Sequence, residues 1–167
     1  MILTIWRHGE AGSAVTDRQR ELTSAGRDDV GFGSHCFFEH CAARDLPAPD
    51  LILYSEWSRT TETADIIAAA FSHASLRRES ALIPGSGVAA VDSVLEALLS
   101  ATNCPEHLVL VSHQPLVSNL IDYYLGDPGR VEPLSPGGLA CLQLDAAAAA
   151  CASLEFSAQP PQYEISQ

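Results

Sequence analysis

Three short apolar runs, each cut off by residues that carry chemistry, constrain this chain more than any other feature. Ile2–Trp6 ends in Arg7-His8-Gly9, Leu51–Tyr54 ends in Ser55-Glu56-Trp57-Ser58-Arg59, and Leu108–Val111 ends in Ser112-His113-Gln114-Pro115. Short apolar runs bounded by turn residues read as buried strands. A buried strand has little use for Arg or His at its end unless they face a ligand. In open α/β sheets, ligands sit just beyond the carboxyl ends of the parallel strands. Arg7 and Arg59 bring guanidinium forks that match phosphate geometry. His8 and His113 bring imidazoles able to act as nucleophile, acid or base near neutral pH. Gly9 lets the backbone approach a ligand closely. Gathered at one sheet edge, these groups make a site for a tetrahedral oxyanion.

The stretches between the runs support a layered α/β fold. Thr23 is a candidate N-cap, and Val30, Phe37 and Cys41 recur near helical spacing up to about Arg44, although Gly31 and Gly33 interrupt the pattern. Ser58 opens a helix whose apolar stripe is Ala64, Ile67, Ala68 and Phe71. Arg59 then lies in the first helical turn, where free N–H groups and the helix dipole favour an anion. Ser75-Leu76-Arg77 reads as a short edge strand, and Val88 to about Ala101 as a third helix. Pro115 suits the first turn of a fourth helix, with stripe Leu116, Leu120, Ile121 and Tyr124 and a C-terminal cap at Gly126. Leu139–Leu144 and Leu154–Ala158 read as late strands joined by an alanine-rich linker, and Pro160–Gln167 as a peripheral tail. Alternating strand and helix predicts a mostly parallel sheet with helices on both faces, in one domain over residues 1–167.

Composition narrows the partners. The net charge is -12 and all 9 basic residues are Arg, a balance that repels nucleic acid and anionic membranes. A phosphate site must therefore be a local positive pocket in a negative molecule. No run approaches the ~18 apolar residues needed to span a bilayer, and no leader pattern is read at the N-terminus. The 5 cysteines lack Cys-x-x-Cys spacing, which points to reduced thiols in a cytoplasm. His35, His40, His73 and His107 show no ligand spacing, and no metal or cofactor is expected.

The sequence resembles the histidine phosphatase superfamily, through Leu3 to Ala11 with its Arg-His-Gly, Ser55 to Ala64, Val109 to Pro115, and the Arg20-Glu21-Leu22-Thr23-Ser24-Ala25-Gly26 segment. Its small size and the layout from Leu82 to Val91 look most like the SixA-type phosphohistidine phosphatases. The resemblance implies a phosphoglycerate mutase-like core without lid insertions. It implies His8 as the phosphoryl-accepting nucleophile, with Arg7, Arg59 and His113 holding phosphoryl oxygens. Arg20 is either a further arm of the pocket or a solvated surface residue. Relatives of the SixA type tend to carry Gly-Asp where this chain has Ser86-Gly87, so no general acid is evident; Glu10 is a substitute or merely solvated. The missing acid and lid favour phosphohistidine on a protein as substrate, in a shallow, open pocket. A small-molecule phosphomonoesterase and a non-catalytic phosphate- or phosphoprotein-binding module remain the alternatives.

Overall fold

The structure, a computed structural model, describes residues 1–166; Gln167 lies outside the described residues. Strands β1 (Ile2–Arg7), β2 (Leu51–Tyr54), β3 (Ser75–Arg78), β4 (His107–Ser112), β5 (Leu139–Leu144), β6 (Ala152–Ala158) and β7 (Ile165–Ser166) form one sheet, ordered β3-β2-β4-β1-β5-β6-β7. From β3 to β1 every pairing is parallel; β5, β6 and β7 extend the sheet antiparallel. The expected parallel arrangement therefore describes the half that carries the three strand ends. The late strands follow one another through short linkers, which join antiparallel neighbours, whereas parallel ones need a crossover helix.

Helices α1 (Ser24–Ala43), α2 (Ser58–Ala70), α3 (Val88–Leu99) and α4 (Leu116–Leu125) cover the two faces. Ile2 and Trp6 of β1 pack with Val30 and Phe37 of α1 and Ile67 of α2. Leu3 and Ile5, pointing the other way, pack with Leu95 of α3 and Leu120 of α4. A strand covered on both sides reads as continuous apolar sequence, which is why these runs stand out. Burying each such Leu or Ile is worth about 1.5–3 kcal/mol.

Thr23 caps α1 as expected, its hydroxyl accepting from Gly26 N. Of the two glycines that interrupt the α1 pattern, Gly31 faces open space and only Gly33 has a local cause; Gly26, in the first turn, has another. A Cβ on Gly33 would collide with the Tyr163 ring, and one on Gly26 with the backbone of Glu10. Gly126 ends α4 in the left-handed region at φ 65°. Pro115 stands one residue earlier than expected, at the N-cap of α4 rather than in its first turn. The C-terminal tail is not peripheral. Tyr163 is fully buried, its hydroxyl donates to Gly137 O at 3.1 Å, and Ile165–Ser166 adds the last strand. Surface composition hid this, because one aromatic residue anchors an otherwise polar segment. No helix among the described residues is long and apolar enough to cross a membrane.

Candidate active site

Parallel register builds the site. Arg7 of β1 is level with Ser112 of β4, and Tyr54 of β2 with Val111 of β4. The ladders run one residue past the strands, His8 N donating to Ser112 O at 3.0 Å and Ser55 N to Val111 O at 3.2 Å. His8, His113 and Ser55 thus leave the sheet side by side, and the His8 and His113 rings lie 5.1 Å apart. Ser55 leads into α2, whose first turn carries Arg59. Thr63, one turn on, accepts from Gly9 N at 3.1 Å and donates to Arg59 O at 2.7 Å, tying α2 to the Arg-His-Gly loop.

From the other side, Arg7 N donates to Gly138 O, while Gly137 N donates to His8 O at 2.9 Å. Gly137 takes φ 87°, a left-handed conformation that suits glycine. Beside it, Arg7 Nη1 donates to Leu134 O at 2.7 Å.

The His8 ring is oriented at both nitrogens. Nδ1 lies 2.7 Å from Gly9 O, and a carbonyl can only accept, so Nδ1 carries the proton. Nε2 then holds a lone pair, which accepts from Arg59 Nε–H at 3.1 Å. Burial, and secondarily the charges of Arg59, Arg7 and Arg20, push the His8 pKa down to about 4 against the help of the Gly9 carbonyl. His113, buried and facing His8 and Arg59, is pushed down to about 3. Both imidazoles are therefore neutral at pH 7. His113 Nε2 meets Ser55 Oγ at 3.0 Å. Its Nδ1 and Arg7 Nε are buried without a hydrogen-bond partner among the described residues, and such atoms are rare unless a ligand or water completes them.

Arg59 spends its remaining nitrogens on Asp17. Nη1 donates to Asp17 O at 2.7 Å and Nη2 to Asp17 Oδ2 at 3.2 Å. The Trp57 ring lies against the same guanidinium, 4.8 Å from its carbon, and edge-on to His113. With His8 at 9%, Arg59 at 4% and His113 at 3% exposure, the site is more covered than a lidless core suggested. The loop between β1 and α1, carrying Asp17 in a single 3-10 turn (Asp17–Gln19), closes over Arg59.

The structure thus brings Arg7, His8, Gly9, Arg59 and His113 together. Arg20 stays on its loop, bonded to Gly12 O, Ala11 O and Asp17. Glu10 is exposed and makes no side-chain hydrogen bond among the described residues, and Gly87 is the N-cap of α3 with open space at its Cα. Sequence reasoning missed Asp17, whose polar loop looks like any solvated segment. Trp57 also joins the site, and its place two residues before Arg59 at a strand end was a usable clue. His107, which showed no ligand spacing, is a satisfied core residue, bonded to Pro47 O and Thr4 Oγ1.

No protein-family model and no curated protein sequence matches the chain. Solved structures do. The fold is the phosphoglycerate mutase-like fold of the histidine phosphatases. Within it, the chain is similar over nearly its whole length to SixA proteins. The protein histidine phosphatase SixA complexed with tungstate superposes with a TM-score of 0.75 at 22% identity, over 96% of this chain and 97% of that one. SixA from Agrobacterium tumefaciens gives 0.78 at 22%, over 95% and 98%. A mycobacterial glucosyl-3-phosphoglycerate phosphatase gives 0.66 at 15%, over 92% and 96%.

Proposed function

We propose that this chain is a histidine phosphatase of the SixA type, residues 1–167 forming one catalytic domain that removes phosphate from phosphohistidine on a protein. The observation that carries the proposal is the tautomer of His8. Its proton is held on Nδ1 by Gly9 O, leaving Nε2 unprotonated beside the Arg59 guanidinium. A neutral imidazole attacks phosphorus well and forms a phosphoramidate that water can later cleave.

In the first step the substrate ring takes a proton from solvent on its free nitrogen, His8 Nε2 bonds to phosphorus while the P–N bond breaks, and the ring leaves as neutral imidazole. Arg59 Nε–H, bonded to the Nε2 lone pair in the free site, turns its hydrogen bond to a phosphoryl oxygen. Arg7 Nε–H and His113 supply further donors, the latter through Nδ1–H if Ser55 donates to Nε2. Water then attacks phosphorylated His8 and releases phosphate. Guanidinium and imidazole groups supply the positive charge that such transfers require, so the reaction is proposed to need no metal and no cofactor.

Phosphohistidine is favoured over an ester because no proton donor stands out. The carboxylate at the site, Asp17, is held below its usual range by Arg20 and by Arg59, and is ionised at neutral pH. An alkyl ester needs its leaving oxygen protonated; an imidazole leaving group takes a proton readily. The acidic surface calls for a partner with a neutral or basic rim around its phosphohistidine. All five cysteines are free thiols, in keeping with a proposed cytoplasmic location. Likeness to the glucosyl-3-phosphoglycerate phosphatase supports a second reading, a small-molecule phosphomonoesterase. The test is kcat/KM for a phosphohistidine protein, an aryl phosphate and an alkyl phosphate at one pH and salt. Phosphohistidine should be fastest and alkyl phosphate slowest. A faster alkyl or sugar phosphate selects the esterase, and no turnover of any of them selects a binding module.

A further inference from the structure

The loop over the site holds a chain of polar contacts whose last link is the proposed nucleophile. Arg20 Nε donates to Gly12 O at 2.6 Å and Nη2 to Ala11 O at 3.1 Å, which anchors its guanidinium to its own loop. The remaining nitrogen, Nη1, donates to Asp17 Oδ1 at 3.0 Å. The other carboxylate oxygen accepts from Arg59 Nη2 at 3.2 Å, and the carbonyl of the same residue accepts from Arg59 Nη1 at 2.7 Å. Asp17 thus grips one end of the Arg59 guanidinium at two points. The plane so fixed aims Arg59 Nε–H at His8 Nε2, 3.1 Å away. The turn bearing Asp17 is itself held from the far side, where Arg18 Nη2 donates to Glu56 Oε1 at 2.6 Å.

We propose that Asp17 is a positioning residue for Arg59, and that Arg20 serves the reaction through Asp17 rather than by touching the phosphoryl group. This rests on the phosphatase reading for its kinetic consequences but not for its structural ones. Arg20 has each nitrogen committed to the loop, whereas an arm that grasped substrate would keep one aimed at His8. Among the described residues Arg59 has no side-chain acceptor other than Asp17 and His8, so losing the carboxylate leaves the Asp17 carbonyl as the one remaining hold on that end and lets the guanidinium pivot about it, away from Nε2. A misaimed group at a reacting centre costs up to about 100-fold in rate.

The experiment is a double-mutant cycle on Asp17 and Arg20, with His8 observed by 15N NMR of the imidazole. Asp17→Ala should lower kcat for phosphohistidine about 10- to 100-fold with a smaller change in KM. It should also shift the His8 Nε2 resonance, because the bonded Arg59 Nε–H is lost. Arg20→Ala should cost less, and adding it to Asp17→Ala should cost nothing further, since groups acting through one contact are not additive. Asp17→Asn keeps the shape and an amide oxygen, and should recover part of the rate. Multiplying losses would make Arg20 an independent phosphoryl ligand and overturn the proposal. An unchanged His8 resonance in Asp17→Ala overturns it whether or not the protein is a phosphatase. If that resonance shifts but the wild type turns over no phosphohistidine, the positioning role stands and the phosphatase reading falls.

Discussion

Lowering the pH from 7 to 5 should remove a large share of the folding free energy, because three histidines are buried neutral. His8 and His107 are each pushed down to about 4 and His113 to about 3. Burial is the main cause in every case, opposed at His107 by the Pro47 carbonyl and Asp50, and reinforced at His113 by the neighbouring His8 and by the charge of Arg59. The sign follows from depressed values in the folded state. As pH falls through ~6.5 the unfolded chain takes up these protons and the folded chain does not. Stability is full above ~pH 7 and is lost between there and the folded values. At pH 5 each histidine contributes a loss of about 2 kcal/mol, and the three together about 5–6 kcal/mol, to within a factor of two. That is comparable with the ~5–15 kcal/mol that holds a typical domain together. Unpaired carboxylates enter mainly below pH ~5. Urea unfolding at pH 7, 6 and 5 measures the loss through tryptophan fluorescence, to which the fully buried Trp6 contributes. His8→Asn should flatten the pH slope by about one proton. A free energy that stays constant within about 1 kcal/mol from pH 7 to 5 would refute the claim that these imidazoles are buried neutral.

Two further outcomes concern the supports of the site. Tyr163→Ala should destabilise the protein by about 3–5 kcal/mol, as aromatic truncations in a core do, whereas Tyr163→Phe should cost only about 1–3 kcal/mol for the carbonyl left without its donor; equal effects in thermal or urea unfolding would mean the ring does not seat on Gly33 and Gly137. Gly26→Ala should reduce turnover as well as stability, because the new methyl would press on the Glu10 backbone, two residues from His8; wild-type kcat in that variant would show that the Arg-His-Gly loop tolerates displacement.

The parts of the molecule legible in the sequence are those that local pattern dictates. β1, β2 and β4 announced themselves because both their faces are buried, and the polar residues that end them stand out against apolar runs. Once these strands were taken as parallel neighbours, the meeting of Arg7, His8, Arg59 and His113 followed from register alone. Thr23 and Gly126 were readable because caps demand particular side chains. What stayed hidden depends on pairing across long separations. The antiparallel half of the sheet could not be read, since β5 and β6 carry no marker of strand direction. Asp17 became a site residue only when the loop folded back onto α2. Tyr163 looked like part of a polar tail, and Gly33, its partner across 130 residues of sequence, looked like a flaw in a helix. Arg20 was placed either in the pocket or in solvent; the structure shows a third arrangement, tethered to backbone carbonyls and to Asp17.

The proposed chemistry stands or falls on a covalent bond at His8 Nε2. Incubating the wild type with a radiolabelled phosphoryl donor, quenching within the first turnover and mapping the label measures it directly. Labelled phosphate should be recovered on His8 in a form labile to acid and stable to alkali, and His8→Ala should carry no label and show no turnover while remaining folded. Near-normal turnover in His8→Ala, or label on any other residue, would contradict it.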